Sequence, residues 1–152
     1  MDLILWRHAE AEEAREGQDD LDRALTPRGE KQATRVAGWL DRVLPEGTRI
    51  LCSPARRCEQ TALALGRKYK IKPELVQGTT VEAMLQAAQW PDARQPVLLV
   101  GHQPVLGQVL AQLLGMAADC PVRKGSAWWL RQRERDGDSE TVVIAVQSAE
   151  TA

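Results

Sequence analysis

Leu3-Ile4-Leu5-Trp6, followed at once by Arg7-His8, is the stretch that decides the fold. Four successive apolar residues with no polar alternation predict a strand buried on both faces, as in a parallel sheet covered by helices on either side. The pattern recurs at Ile50-Leu51-Cys52, Val97-Leu98-Leu99-Val100 and Val142-Val143-Ile144-Ala145-Val146. The intervening stretches have helical periodicity. Thr26-Pro27 supplies a cap and a first-turn proline. Ala33, Val36, Ala37, Leu40, Val43 and Leu44 then form the stripe of an amphipathic helix. Ser53-Pro54 opens a second predicted helix, with Cys58, Ala62, Leu65 and Tyr69 on one stripe. Thr79 or Thr80 opens a third, carrying Val81, Met84, Leu85 and Ala88. Pro104 opens a fourth, from Val105 to Leu114, ended by Gly115. Ala127-Trp128-Trp129-Leu130 and the 142–146 run have no helix between them, so they predict a hairpin closed through Asp136-Gly137-Asp138. One of the two tryptophans is expected in the core and the other half exposed, because neighbours alternate across a strand. Strands alternating with helices predict an α/β fold: a three-layer α/β/α sandwich around a mostly parallel, mixed sheet.

The 152 residues fit one domain, read as 1–152, with no repeat, linker or low-complexity tract. With 43% apolar and 27% charged residues, the chain can build a packed core. A net charge of −1 is not the footprint of a general nucleic-acid or membrane-surface binder. No apolar run approaches the roughly 18 residues of a spanning helix. The N-terminus has no basic region of the kind that begins a signal peptide. The three cysteines, Cys52, Cys58 and Cys120, make no C-x-x-C pair. Their odd number, without an export signal, predicts reduced thiols and a cytoplasmic protein. Two histidines at this spacing predict no zinc site.

Ligands of open α/β sheets bind beyond the carboxyl ends of the parallel strands. Arg7-His8 follows the first buried run, Ser53-Pro54-Ala55-Arg56-Arg57 the second, and Gly101-His102 the third. Every histidine of the chain and an arginine pair at a helix start are therefore expected on one edge. Such a set suits phosphoryl transfer, where catalysis is mostly positioning and stabilisation of charge on oxygen. Arginine forks match phosphate oxygens, helix N-termini add N–H donors, and a neutral imidazole can be the nucleophile. Phosphate loops of the G-x-x-x-x-G-K-[ST] and G-x-G-x-x-G types are absent. Arg56 and Arg57 would point about 100° apart on a helix, so only one should face a pocket.

The same residues resemble the histidine phosphatase superfamily. Leu5-Trp6-Arg7-His8-Ala9-Glu10 is similar to its Arg-His-Gly motif, and Leu25-Thr26-Pro27-Arg28-Gly29 to its L-T-P-x-G helix start. Ser53-Pro54-Ala55-Arg56-Arg57-Cys58-Glu59-Gln60-Thr61-Ala62 resembles S-P-x-x-R-A-x-Q-T-A, and Val100-Gly101-His102-Gln103-Pro104 the second-histidine motif. Length and wording are most similar to the short, SixA-like phosphohistidine phosphatase branch. The resemblance implies a phosphoglycerate-mutase-like fold without a large lid domain. It implies a metal-independent phosphatase with no cofactor, His8 as phosphorylated nucleophile, and Arg7, Arg57 and His102 as phosphate ligands. On that mechanism His8 is neutral and His102 protonated, giving a bell-shaped pH profile near neutral or mildly acidic pH. Ala9 stands where the family has glycine, which predicts an ordinary backbone there. Cys58 replaces an alanine.

No acid motif of the family occurs between the second helix and the third buried run. Glu82 is the nearest candidate for a general acid, and it equally reads as N3 of a Thr79-Thr80-Val81-Glu82 capping box. Residues 10–22 hold seven acids against Arg15. They read as a solvated loop, or as a negative rim beside the pocket that tolerates a protein surface. Arg57 comes one position short of the C-x5-R spacing from Cys52 that a cysteine phosphatase needs. With little chain between Tyr69 and Gln95 to form a lid, the site should be shallow, which suits phosphohistidine on a folded protein such as a signalling or phosphotransfer domain. The alternatives are a phosphatase of a small phosphorylated metabolite and a non-catalytic phosphate-binding module.

Overall fold

The computed structural model describes residues 1–152. The elements run β1 (Asp2–Arg7), α1 (Pro27–Val43), β2 (Arg49–Cys52), α2 (Arg56–Leu63), β3 (Lys70–Ile71), α3 (Val81–Ala87), β4 (Val97–Gly101), α4 (Val105–Leu114), β5 (Ala127–Arg135) and β6 (Asp138–Gln147). They build one six-stranded sheet in the order β3-β2-β4-β1-β5-β6. The first four strands of that order are mutually parallel, and β5 runs antiparallel to both β1 and β6. The sheet is therefore mixed and mostly parallel, as the continuous apolar runs predict.

Alternate residues of each central strand feed two cores. Ile4, Trp6, Ile50, Cys52, Leu98 and Val100 pack with Val36, Ala37 and Leu40 of α1 and Cys58 and Ala62 of α2. Leu3, Leu5, Leu51, Val97 and Leu99 face the other way, onto Met84 of α3 and Val105, Leu106, Val109 and Leu110 of α4. Helices on both faces make the α/β/α sandwich, and explain why β1 and β4 carry no polar alternation.

The register brings the strand ends together. Arg7 pairs with Gly101, and Cys52 with Val100, so β1, β2 and β4 stop side by side. The ladder runs on into the next residues: His8 N donates to Gly101 O at 3.1 Å, and Ser53 N to Val100 O at 3.1 Å. The Thr26 hydroxyl caps α1 through Gly29 N at 2.9 Å. Gly29 is glycine for want of room: a Cβ there would lie 2.0 Å from the Glu10 carbonyl oxygen.

Three expectations need correcting, and one short strand has no counterpart among them. The apolar run 142–146 is not buried on both faces; β6 is an edge strand, and Val143, Ile144 and Val146 are 41–48% exposed or close to it, at 43%, 41% and 48%. Local hydrophobicity does not distinguish an edge position from a central one. The second helix starts at Arg56 and ends at Leu63, because the chain turns through Gly66 at φ +72°; Leu65 and Tyr69 lie beyond it. The two-residue β3 has no apolar pattern to announce it. Finally, Thr80 rather than Thr79 caps α3, accepting from Ala83 N at 3.1 Å, so Glu82 sits at N2 and forms no capping box. The hairpin turns through Asp136 and Gly137, both at positive φ as a two-residue primed turn requires. Trp129 is buried and Trp128 half-buried. No helix is long and apolar enough to cross a membrane.

Candidate active site

His8 follows β1 and His102 follows β4, the two central parallel neighbours. Their rings meet edge to face, with centroids 5.3 Å apart and planes inclined at 63°. His8 is 8% exposed and His102 1%. His8 Nδ1 lies 2.7 Å from the Ala9 carbonyl, which can only accept. Nδ1 therefore carries the proton, and the lone pair of the neutral ring is on Nε2. Ala9 has no positive φ, as its side chain predicts.

Arg57 is buried with 0% exposure, while Arg56, one position earlier on α2, is exposed. The Arg57 guanidinium reaches His102 Nδ1 at 3.4 Å from NH2. A guanidinium can only donate, so Nδ1 accepts, and His102 Nε2–H donates to Ser53 Oγ at 2.8 Å. Cys58 Sγ is 3.5 Å from the same Nε2, and its side chain fills the space beside the ring. Arg57 Nη2 places its two hydrogens on Asp20 Oδ2 and Gln77 Oε1, each at 2.9 Å, so its approach to His102 Nδ1 is a longer, shared contact, and Nη1 donates to Asp20 O at 2.8 Å. Arg7 NH1 donates to Val122 O at 2.8 Å and has no carboxylate partner. Both guanidinium groups keep a buried Nε–H with no acceptor in the protein. Buried donors are almost always satisfied, so these are two donors still able to take up an acceptor.

The charge balance keeps both rings neutral. Burial, helped by Arg57 and Arg7, pulls the His8 pKa to about 4, against the opposing effect of its bond to Ala9. Burial, then His8 and Arg57, pull His102 to about 3. Burial above all, then the neighbouring His8 and Arg57, thus disfavours the expected protonated His102 at neutral pH. For Asp20, burial acts upward, but hydrogen bonds from Arg23 and Arg57 outweigh it and hold the carboxyl below its ordinary value. Burial pushes the Cys58 thiol up to about 12 and raises Cys52 as well, so neither is a thiolate nucleophile at neutral pH.

The structure thus brings together Arg7, His8, Arg57 and His102. Glu82 is exposed on the first turn of α3 and makes no hydrogen bond or ion pair with any of them. Several contributors escaped the sequence reading. Ser53 was expected to cap a helix, but it holds His102. Its place directly after a buried run, on the same edge as the histidines, was the available signal. Asp20 was one of seven acids in a segment of uniform sign, with nothing to single it out. Gln77 lies in a loop without a pattern. The remaining motif residues join the site's segments: Ala9 N donates to Thr61 Oγ1 at 3.1 Å, and Leu25 N to Gln60 Oε1 at 2.7 Å. One helical turn of α2 therefore presents Arg57 and ties down the loops around it. No group of three His, Cys, Asp or Glu side chains is placed to hold a metal ion.

The profile of the histidine phosphatase superfamily (branch 1) matches residues 3–80. The chain is 32% identical over 122 residues to phosphohistidine phosphatase SixA of Escherichia coli, covering 74% of each protein. It superposes on a solved structure of the protein histidine phosphatase SixA complexed with tungstate with a TM-score of 0.78 and 26% identity, covering 98% of this chain and 97% of that one. A more distant neighbour, the mycobacterial glucosyl-3-phosphoglycerate phosphatase Rv2419c, shares the fold at a TM-score of 0.67 and 20% identity, covering 95% of this chain and 97% of that one. The matched segment holds the first histidine, the helix cap and the second arginine, and the fold likeness extends over the rest. The chain belongs to branch 1 of the histidine phosphatase superfamily, a SixA-like phosphatase.

Proposed function

We propose that the protein is a metal-independent phosphatase that works through a phospho-His8 intermediate and removes phosphoryl groups from phosphohistidine on a protein. The observation that carries the reading is the His8 ring: Nδ1 is fixed on the Ala9 carbonyl, Nε2 is unprotonated, and the ring meets that of His102, which in turn faces the Arg57 guanidinium. In the first step Nε2 attacks phosphorus and the P–N bond to the substrate imidazole breaks. Arg7 and Arg57 donate to the phosphoryl oxygens through their free Nε–H groups. The departing imidazole takes a proton from solvent. In the second step water attacks phospho-His8, releasing inorganic phosphate and restoring the ring.

A protein substrate is supported by how little chain is free to form a lid. Between α2 and β4 the chain forms only β3, a 3₁₀ turn at Pro73–Leu75 and the seven-residue α3. The similarity to SixA points the same way, and the tungstate in its solved relative, a tetrahedral oxyanion like phosphate, fits the phosphoryl chemistry. An imidazole leaves more easily than an alkoxide, so a carboxylic acid is not required. Glu82 receives no part in this scheme, and Asp20, held ionised by two arginines, is a poor proton donor. The buried free thiols Cys52, Cys58 and Cys120 suit a reducing cytoplasm.

The small-metabolite alternative gains support only from the fold shared with the glucosyl-3-phosphoglycerate phosphatase. The test compares wild type with His8→Ala on a phosphohistidine protein and on small phosphoesters, with EDTA present. Turnover should persist in EDTA, vanish in His8→Ala and favour the phosphoprotein in kcat/KM. A retained acid-labile phosphoryl label in His8→Ala would remove the nucleophile assignment. Phosphate binding by wild type without any turnover would favour a non-catalytic module.

A further inference from the structure

Next to Glu10, two residues after His8, lies a cleft of about 510 Å³ that the proposed chemistry leaves unused. It is walled by α1, by the turn preceding β5, and by the chain after β6. Arg28, Lys31 and Arg35 lie at i, i+3 and i+7, so they share one face of α1. Arg123 and Lys124 face them from the turn. Against these five cations stand two carboxylates, and both are engaged. Glu150 pairs with Arg123, and Glu10 Oε2 accepts from the Thr26 hydroxyl at 2.7 Å. Arg28, Lys31, Arg35 and Lys124 have no carboxylate partner.

A second, independent observation concerns the cleft's floor. Ser126 lines it, is 3% exposed, and its Oγ has no hydrogen-bond partner. A buried hydroxyl left unpaired costs stability unless something else completes it. The cleft is also joined to the phosphoryl site through the backbone. Ser126 O accepts from Arg7 N at 3.0 Å, and Gly125 N donates to His8 O at 3.1 Å.

We infer that this cleft is a second anion-binding site, which receives an acidic segment of the phosphorylated protein substrate while its phosphorylated side chain enters the His8 pocket. The inference rests on the phosphoprotein reading above and names the surface chemistry that the substrate must carry. The spread of charge favours an extended acidic segment over one compact anion: from Arg28 to Arg35 the helix advances by about 10 Å, several times the size of a phosphate group. The acidic stretch 10–22, which reaches Arg57 through Asp20, repels a uniformly anionic partner, so the substrate's acids are required to be local, close to the phosphorylated residue.

The test uses two synthetic phosphohistidine peptides, one flanked by four Asp or Glu residues and one with those positions neutral, together with free phosphohistidine. Wild type should prefer the acidic peptide by about tenfold or more in kcat/KM, and the preference should shrink as salt is raised. Lys31→Glu combined with Arg35→Glu should abolish it, and Lys31→Ala with Arg35→Ala should halve it on a logarithmic scale. Both pairs lie on the exposed face of α1 and should leave turnover of free phosphohistidine unchanged. A preference that survives the charge reversal, or none in wild type, overturns the cleft as a docking site. Pyrophosphate that saturates the cleft in NMR titration, without any acidic-peptide preference, overturns the acidic segment in favour of a small polyanion. Failure of wild type to hydrolyse free phosphohistidine and both peptides strikes instead at the phosphohistidine reading.

Discussion

The Asp20 carboxylate lies 2.9 Å from NH2 of Arg57, joining an exposed acidic segment to a guanidinium that is wholly buried. Asp20 also accepts from Arg23 Nε at 2.9 Å, and its backbone carbonyl takes Arg57 NH1. The segment therefore does more than line the pocket. One of its carboxylates offsets the charge of Arg57 and holds its guanidinium in place, leaving Nε without an acceptor in the protein.

Asp20→Asn keeps the shape and removes the charge. An anion in the pocket then escapes a nearby repulsion worth about 1 kcal/mol at this half-exposed position. The inhibition constant of inorganic phosphate should fall about fivefold, and product release should slow. Steady-state kinetics with added phosphate reads both, and an unchanged or weaker inhibition would show that Asp20 acts only as a brace.

Arg57 and Arg56 make a matched pair of controls. Arg57→Ala removes a buried guanidinium and should lower kcat/KM by 10²-fold or more, the scale found for removal of a charge-stabilising donor. Arg56→Ala, one position away and exposed, should change it by less than about twofold. Glu82→Gln should be equally mild. A loss of tenfold or more in Glu82→Gln would restore it as the general acid.

Ser53→Ala leaves His102 Nε2–H without its acceptor in a buried site. The ring is then free to change tautomer and to turn away from Arg57, and kcat should drop about tenfold with KM little altered. Nitrogen-15 spectra of the imidazoles check the cause directly: wild type should show His102 protonated at Nε2, and the variant a mixture.

Acid acts on both catalysis and folding through the two histidines. Their folded pKa values, about 4 for His8 and about 3 for His102, lie below the 6.5 of an unfolded chain. Between these limits the unfolded chain binds more protons, so stability is complete above pH 6.5 and declines as the pH falls toward 4 and below. By pH 4.5 the loss from His8 alone is about 2 kcal/mol. Urea midpoints at pH 7.5 and 4.5 measure it, and His8→Ala should flatten the slope. The acid limb of kcat/KM should lie near pH 4. A limb near pH 6.5 would mean that the free enzyme's His8 is far better solvated than its burial indicates.

Gly29→Ala places a Cβ against the Glu10 carbonyl, with backbone on both sides and no flexible side chain to yield. The start of α1 has to move off the segment that follows His8. A destabilisation of about 2–3 kcal/mol is expected, the range of overpacking in a well-packed region. Thermal melting measures this, and activity should fall as well, because Thr26 and Glu10 shift together.

The parts that were legible from the sequence are those governed by local rules. Runs such as Leu3–Trp6 and Val97–Val100 have one economical solution, a strand covered on both faces, and the helical stripes between them supply the covers. Once the strands are parallel, residues immediately after them share an edge, so Arg7, His8, Arg57 and His102 could be grouped without coordinates. Val142–Val146 misled for the same reason: its apolar run is indistinguishable from a central strand until the sheet order places it outermost.

The amino-acid sequence by itself determined the layered fold, the shared edge and the residue types that meet there, because periodicity and strand-end position are short-range properties. Only the tertiary structure decided which of seven acids pairs with Arg57, that Ser53 holds His102 instead of capping α2, and that Glu82 makes no hydrogen bond or ion pair with the histidines. It also placed Arg28, Lys31 and Arg35 opposite Arg123 and Lys124, which lie far along the chain. Those contacts join residues remote in sequence, and their choice depends on packing, charge compensation and the completion of buried hydrogen bonds, which no local pattern encodes.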